Sequence, residues 1–358
     1  MTATDSTSTS TDRRPRRVPV RTARFSRLLD LRLLAVCAGA VVVGLVAAAL
    51  SVSVGEFPIP LGDVVATLVG TGTRSDEFII IGLRLPRALV GLGCGMALGL
   101  SGLILQTLVR NPLAAPDIIG VTGGASLTGV AILVLGAPAA LLPVGAFAGA
   151  VASATLIYAL AWRGGLSPFR LVLIGIALAA AATAGTQYLL VVGELIDVQR
   201  AAVWLIGSLN GVTWEEFWPL AVGLVILLPA AAGLARSLDA LSLGEDSALA
   251  LGVTVQRARL GLVVVAAGLA AFAVAAAGPI GFVAFIAPHI ARRLTGLTGA
   301  AVLPAVALVG GVLVMVCDLV ARLVLAPIEL PVGTVTSVVG APFFLYLLHR
   351  ANRPARGG

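Results

Sequence analysis

Few side chains in this sequence are of a type that does chemistry. His289 and His349 are the only histidines, and Cys37, Cys94 and Cys317 are the only cysteines. The three cysteines lie inside apolar runs, where a thiol behaves as a small hydrophobe, and their spacing matches no zinc or disulfide framework. Two isolated histidines also argue against a histidine-rich metal site or haem ligation by paired histidines. We therefore predict no metal site.

Asp318 is the clearest carboxylate within an apolar run, and Arg322 follows it by four residues. Residues at that spacing share one helix face, so the two side chains can form an ion pair. A carboxylate in the membrane has a second interpretation, as part of a proton relay. An ion-coupled secondary transporter would place several such carboxylates in its spans, and only Asp318 supports that class.

An intramembrane enzyme would need a cluster of polar catalytic groups. His289 lies beside Pro288 and near Arg292, with no acidic or nucleophilic neighbour in the sequence. We predict a packing or capping role for His289 and no catalytic residues.

The chain contains no lysine. A phosphate-binding P-loop requires the lysine of its G-x-x-x-x-G-K-[ST] motif. This chain is therefore not an ATPase, and any ATP-driven motor that serves it must be a separate polypeptide.

The elements that carry these residues are apolar helices. Of the 358 residues, 59% are hydrophobic and 11% are charged, with a mean hydropathy of +1.05. Runs of about 20 apolar residues, the length that spans the hydrocarbon core as a helix, recur along the chain. The short alternating segments of a transmembrane barrel are missing. The sequence predicts an all-α, polytopic membrane bundle.

The formal charge of +7 comes largely from the N-terminal segment. Because most of the excess charge lies in this segment, we predict that the protein does not bind nucleic acid. Residues 1–30 form a Ser-, Thr- and Arg-rich tail that we expect to be disordered and to lie on anionic membrane lipid. The apolar run after it is too long for a cleavable signal peptide and predicts a signal anchor. Residues 31–350 form one transmembrane domain, and residues 351–358 form a short cytoplasmic tail.

Ten candidate spans follow from the apolar runs between charged and proline-rich segments. The eighth is too short to cross unless the turn from Gly278 to Gly281 enters the bilayer. The spans lie near residues 33–54, 88–109, 118–136, 140–161, 170–192, 214–234, 259–277, 279–291, 301–321 and 331–348.

The distribution of arginine predicts the orientation, because positively charged loops stay in the cytoplasm. With both termini inside, nineteen of the 24 arginines are cytoplasmic. Three of the external ones, Arg84, Arg87 and Arg322, lie at the ends of spans. Their guanidinium groups can bind carboxylates of an external protein, or they can extend to lipid headgroups.

The longest internal cytoplasmic loop runs from Arg236 to Leu260. Its mixture of apolar and acidic residues predicts short helices joined at Gly244 and Gly252. The loop suits docking into a groove on a soluble partner, and a solvated connector is the alternative.

Six strings along the chain are R-L-P-R (84–87), N-P-L-A-A-P-D-I-I-G-V-T-G-G-A (111–125), L-G-E-D-S-A-L-A-L-G (243–252), G-P-I-G-F-V-A-F-I-A-P-H-I-A-R (278–292), D-L-V-A-R (318–322) and E-L-P-V-G (329–333). In this order they resemble the iron-siderophore and cobalamin uptake permeases of type II ABC importers (the FecCD-like transmembrane subunit). The string W-L-I-G-S-L-N-G at residues 204–211 is most similar to the ferric-enterobactin-type branch.

The resemblance implies a permease for ferric-siderophore chelates, with a cobalamin or haem permease as the alternative. It implies ten helices per subunit, a second permease subunit, two cytoplasmic ATPases that use ATP and Mg, and an extracytoplasmic substrate-binding protein. A heterodimer of permeases is favoured over a homodimer, and this chain binds no cofactor itself.

The resemblance also implies roles for individual residues. Arg84, Arg87 and Arg322 correspond to arginines that dock the binding protein. The coupling loop that contacts the ATPase corresponds to Leu243, Gly244, Glu245, Ala248, Leu251 and Gly252. The cytoplasmic gate corresponds to Gly165, Ser167, Pro168 and Phe169. Pro168 and Phe169 depart from the small hydroxylic residues typical of that gate.

Overall fold

The computed structural model describes residues 17–22, 25–55, 57–117, 119–163 and 165–351. Two short antiparallel strands, β1 (Arg17–Thr22) and β2 (Phe25–Asp30), precede the first helix, with Arg17 opposite Asp30. These strands occupy part of the segment for which the sequence predicted no regular structure. The remainder of that tail and the predicted C-terminal tail after Ala351 lie outside the described residues.

Fifteen α-helices make up most of the described chain. A π-helical turn, Phe78–Arg84, joins α3 to α4 without a break, and short 3-10 turns, Ala139–Leu141 and Gly299–Val302, precede α6 and α14. The helices are α1 Leu31–Ser53, α2 Leu61–Leu68, α3 Arg74–Glu77, α4 Leu85–Val109, α5 Val121–Val134, α6 Leu142–Ala161, α7 Pro168–Val192, α8 Leu195–Ile206, α9 Trp214–Gly233, α10 Ala235–Ser242, α11 Glu245–Ala250, α12 Val255–Ala277, α13 Val283–Thr295, α14 Leu303–Leu323 and α15 Val332–Ala351.

The prediction of an all-α membrane bundle is confirmed. Eight helical segments among the described residues are long and apolar enough to cross a membrane. The third and eighth predicted spans correspond to the shorter helices α5 and α13. Helix α5 packs against α6, α7 and α8, and α13 packs against α4 and α14.

Helix α4 is the centre of the bundle and packs against α12, α13 and α14. Its small residues permit this close contact. A side chain on Gly95 would collide with the backbone of Gly310 in α14, and one on Gly102 would collide with the carbonyl of Ala284 in α13. These glycines therefore bring the helix backbones together.

The chain between α12 and α13 is not helical although it lies within the bundle. Gly278 and Phe282 have positive φ angles of 71° and 66°, and the Phe282 ring packs against Gly340 in the middle of α15. Next to this break, the Gly333 N–H donates to the carbonyl of Gly207 at 3.0 Å, and the Ser208 N–H donates to that of Ala277 at 2.9 Å. The turn from Gly278 to Gly281 thus packs within the bundle, and its entry into the bilayer stays a prediction.

Candidate functional site

The predicted pair of Asp318 and Arg322 belongs to a larger ionic cluster. The Arg322 Nε lies 3.4 Å from the Asp318 carboxylate. Arg87, in the first turn of α4, donates to the same carboxylate through Nη2 at 2.9 Å and through Nε at 3.2 Å. Its Nη1 donates to Glu329 at 2.8 Å. We call Arg84, Arg87, Asp318, Arg322 and Glu329 the outer arginine cluster.

The other two arginines of the cluster bind the C-terminal end of α1. Arg84 donates to the carbonyls of Val52 at 2.7 Å, Ser53 at 3.1 Å and Phe57 at 2.6 Å. Arg322 donates to the carbonyl and hydroxyl oxygens of Ser51 at 3.2 and 2.6 Å. The last carbonyls of a helix have no partner within it, so these arginines satisfy acceptors that α1 leaves open.

The three arginines are buried, with 8 to 9% of their surface exposed. Each of them donates to acceptors of this chain, so none of them is a free cation on the surface, although the buried Arg322 Nε makes no hydrogen bond. The sequence predicted one of these ion pairs from its four-residue spacing. It did not predict the contacts of Arg87, because 231 residues separate it from Asp318.

The predicted coupling loop forms two short helices, as expected. Gly244 and Gly252 have φ angles of 121° and 77° and bound α11 on either side. Leu243 and Leu251 expose 68% and 64% of their surface, so they are available to a partner. Ala248 is fully buried and faces the protein instead.

A second set of contacts, which we call the inner link, joins α11 to the turn between α6 and α7. Glu245 accepts from Arg259 Nη2 at 2.8 Å, and Arg259 Nη1 donates to the Leu166 carbonyl at 2.8 Å. The Leu166 N–H donates to the Gln256 side chain at 2.8 Å. Arg259 is 5% exposed, so its buried guanidinium group fixes the position of Glu245 relative to the Leu166 carbonyl.

The predicted gate residues lie next to this link. Gly165 has a φ of 142° and lies against the Gln256 amide, where a side chain would not fit. Ser167 and Pro168 begin α7, and Phe169 is 76% exposed. A cavity of about 510 Å³ separates this turn from the coupling loop and is lined by Arg110, Asn111, Ser167, Pro168, Phe169, Leu241, Glu245 and Arg259.

Asp239 in α10 connects the coupling loop to α14. Its carboxylate accepts from the Ala300 N–H at 2.6 Å, in the 3-10 turn that precedes α14. Arg32 at the start of α1 similarly donates to the Leu294 carbonyl at 2.6 Å, near the end of α13. Both contacts satisfy backbone groups at helix ends.

The loop between α4 and α5 carries a carboxylate, Asp117, whose pKa is shifted by its surroundings. Burial raises the pKa of Asp117 to about 6, and a hydrogen bond from Thr122 acts in the opposite direction. This residue lies in the string 111–125 that the resemblance singled out, but the sequence assigned no role to it.

His289 has the packing role that the sequence predicted. Its Nδ1 lies 2.9 Å from the Phe285 carbonyl, four residues earlier in α13. The ring packs against Phe285 and Phe343, with centroids 4.9 and 6.3 Å away. The half-buried imidazole therefore packs against its own helix and the Phe343 ring of α15.

Comparison with known proteins places these features in a family. Residues 42–350 match the model of the FecCD transport family, which covers most of the chain. The chain belongs to the FecCD transport family. Among its FecCD relatives, the probable siderophore transport system permease protein YfhA of Bacillus subtilis (strain 168) is 42% identical over 322 residues, covering 87% of this chain and 94% of YfhA.

Two further relatives extend the comparison. The ferric enterobactin transport system permease protein FepG of Escherichia coli (strain K12) is 40% identical over 323 residues, covering 90% of this chain and 98% of FepG. A solved structure of an inward-facing conformation of a metal-chelate type ABC transporter matches with a TM-score of 0.80 at 29% identity. The match covers 88% of this FecCD chain and 99% of that chain. The protein is thus a multi-pass membrane permease.

Proposed function

We propose that this FecCD permease is a transmembrane subunit of an ATP-binding-cassette importer that carries ferric-siderophore chelates across the cytoplasmic membrane. The observation that carries the proposal is the match of residues 42–350 to the family, together with permease relatives aligned along nearly their whole length. The chelate is cargo, so the chain does no chemistry on it.

The proposed assembly contains a second permease subunit, in a heterodimer rather than a homodimer, two cytoplasmic ATPases that use ATP and Mg, and an external binding protein. Because the chain has no lysine for a P-loop, ATP hydrolysis belongs to the partner subunits. Both termini are cytoplasmic in this proposal, as the arginine distribution indicates.

The outer arginine cluster is the proposed docking region for the binding protein. Its buried arginines already have partners, so a carboxylate of the binding protein must replace one of them. Glu329 is the replaceable partner, because its side chain is 31% exposed whereas that of Asp318 is 4% exposed. Docking would then transfer Arg87 Nη1 from Glu329 to an acidic residue of the binding protein.

The inner link is the proposed route by which the ATPase acts on the gate. A movement of α11 displaces Glu245, and Arg259 transmits that displacement to the Leu166 carbonyl at the turn before α7. Glu245, which was predicted as part of the coupling loop, therefore acts through a positioning residue, Arg259, that the sequence did not single out. ATP binding to the ATPases supplies the energy by stabilising the inward-facing and outward-facing conformations of the permease to different extents.

The cargo can be tested by competition in vesicles that contain the assembled complex, its binding protein and ATP. Uptake of radiolabelled iron is measured with a panel of catecholate, hydroxamate and citrate chelates, and with unlabelled haem and cobalamin as competitors. We expect one ferric chelate class to be taken up. Competition by haem or cobalamin, with no uptake of any ferric siderophore, would replace the proposed cargo by the alternative one.

A further inference from the structure

A groove on the membrane-facing side of the bundle lies between α6, α9 and α12. It has a volume of about 330 Å³ and is lined by Val151 and Tyr158 of α6, Leu227 of α9, and Leu260, Val264 and Phe272 of α12. The Thr155 hydroxyl within it donates to the Val151 carbonyl at 2.7 Å, so the wall offers no free polar group there. The groove is therefore suited to a hydrocarbon chain.

The length of the groove matches one leaflet of a bilayer. Its α12 wall runs from Leu260 to Phe272, which at 1.5 Å per residue is about 18 Å. One leaflet contributes about 15 Å of hydrocarbon to the core. The groove opens sideways, since Val264 is 56% exposed and Val151 is 43% exposed.

Exposed arginines follow the wall helices beyond one end of the groove, although they are not part of its lining. They are Arg163 just after α6, Arg236 in α10, which directly follows α9, and Arg257 in the first turn of α12. The turn after α6 is held against α12 by the hydrogen bond from Leu166 N–H to Gln256, which brings the segments of Arg163 and Arg257 together. Within the described part of the chain, none of these three guanidinium groups has an ion pair.

Aromatic rings lie at the same end. The Tyr158 and Trp162 rings pack with centroids 5.5 Å apart and planes tilted by 42°, and Trp162 is 44% exposed. Tyr and Trp are enriched at the level of the lipid headgroups. An apolar groove, an aromatic pair and a basic rim follow one another in the order of acyl chain, interface and phosphate.

We propose that this groove is a binding site for an anionic phospholipid of the cytoplasmic leaflet. One acyl chain lies between α6, α9 and α12, and the phosphate binds Arg163, Arg236 and Arg257. Basic pockets between transmembrane helices on the cytoplasmic side are suited to anionic headgroups. The leaflet assignment rests on the proposed orientation, but the site does not depend on the transported chelate.

The test is native mass spectrometry of the intact complex extracted from vesicles that contain equal amounts of phosphatidylglycerol and phosphatidylcholine with the same acyl chains. We expect phosphatidylglycerol to be retained selectively. Arg257→Glu should lower its retention about fivefold or more, given the attraction of a basic side chain to an anionic leaflet. The matched control is Arg293→Glu, which changes an exposed cytoplasmic arginine on α13 that does not line the groove.

A second pair of variants tests the acyl-chain part of the site. Val264→Trp fills the groove and should reduce retention, whereas Val225→Trp, at an exposed position of α9 outside the groove, should not. Equal retention of the two lipids, or equal loss in Arg257→Glu and Arg293→Glu, would overturn the proposal. Crosslinking of a Val264→Cys variant to the partner permease would also overturn it, because a protein would then cover the groove. None of these outcomes requires transport, so they are distinct from failure of the proposed importer function.

Discussion

Arg87 holds two carboxylates of unequal exposure, and this difference decides what each can do. Asp318 is buried, receives three hydrogen bonds from Arg87 and is paired with Arg322, so it stabilises the fold. Glu329 lies in the loop before α15 and has one such bond. Removing one member of a buried pair leaves an uncompensated charge, whereas a partly exposed carboxylate can return to water. In the proposed docking, the partner that Arg87 exchanges is therefore Glu329.

Replacing Glu329 by Gln tests this exchange at the level of one residue. The variant removes the internal competitor for Arg87 Nη1, so the binding protein should dock more tightly. A partly exposed ion pair contributes up to about 1 kcal/mol, which corresponds to about a fivefold gain in affinity. The affinity is measured by biolayer interferometry with the complex in nanodiscs, at two salt concentrations.

The control for this prediction is Glu194→Gln, which changes an exposed carboxylate just before α8. It should leave the affinity unchanged. If both variants change the affinity equally, the effect is one of overall charge, and Arg87 does not exchange its partner.

At the scale of elements, the inner link predicts how a displacement of α11 is transmitted to the turn before α7. Glu245→Gln keeps the shape of the side chain but removes the charge that Arg259 binds. The ratio of chelate transported to ATP hydrolysed should fall about fivefold, as expected for loss of a partly exposed pair. ATPase activity itself should persist, because the substitution keeps the shape of residue 245 and leaves the exposed Leu243 and Leu251 of the coupling loop unchanged.

Asp246→Asn is a matched control for the inner link, since Asp246 is adjacent, exposed and in the same first helical turn. Transport per ATP should be normal in this variant. Normal coupling in Glu245→Gln as well would mean that Arg259 carries no signal between the two elements.

Close packing of α4 against α14 gives a prediction about assembly. Gly95→Leu inserts a side chain against the Gly310 backbone, which cannot move without separating the helices. We expect the variant to lose monodispersity on size-exclusion chromatography and to unfold at a lower temperature. Gly39→Leu in α1, where nothing lies within 4 Å, should behave like the parent protein. A Gly95→Leu variant of unchanged stability would contradict the central position of α4.

The sequence predicted the long helices well because their apolar runs exceed the thickness of the hydrocarbon core. It missed α8, whose 12 residues include Asp197 and Arg200 and are too short and too polar to resemble a span. The π-helical turn before α4 and the contacts of Arg87 were also missed. Both depend on packing between segments distant in sequence, which periodicity within a single helix does not encode.

At the scale of the whole molecule, two long helices run between the proposed cytoplasmic and external ends. Helix α14 begins at the turn that Asp239 holds and ends at Asp318 and Arg322. Helix α12 begins with the inner link through Arg259 and ends where Ala277 binds Ser208. In the proposed mechanism, docking on one side and ATPase movement on the other therefore both act on α14. This arrangement suits a permease whose energy comes from a partner protein.

The measurement that tests this account most directly is uptake of a radiolabelled ferric chelate by proteoliposomes that contain the complete complex. ATP, a non-hydrolysable analogue or a proton gradient is supplied in turn, with and without the binding protein. We predict accumulation only with hydrolysable ATP and the binding protein together. Accumulation driven by a proton gradient without ATP would contradict the account and would make Asp318 part of an ion-coupled carrier.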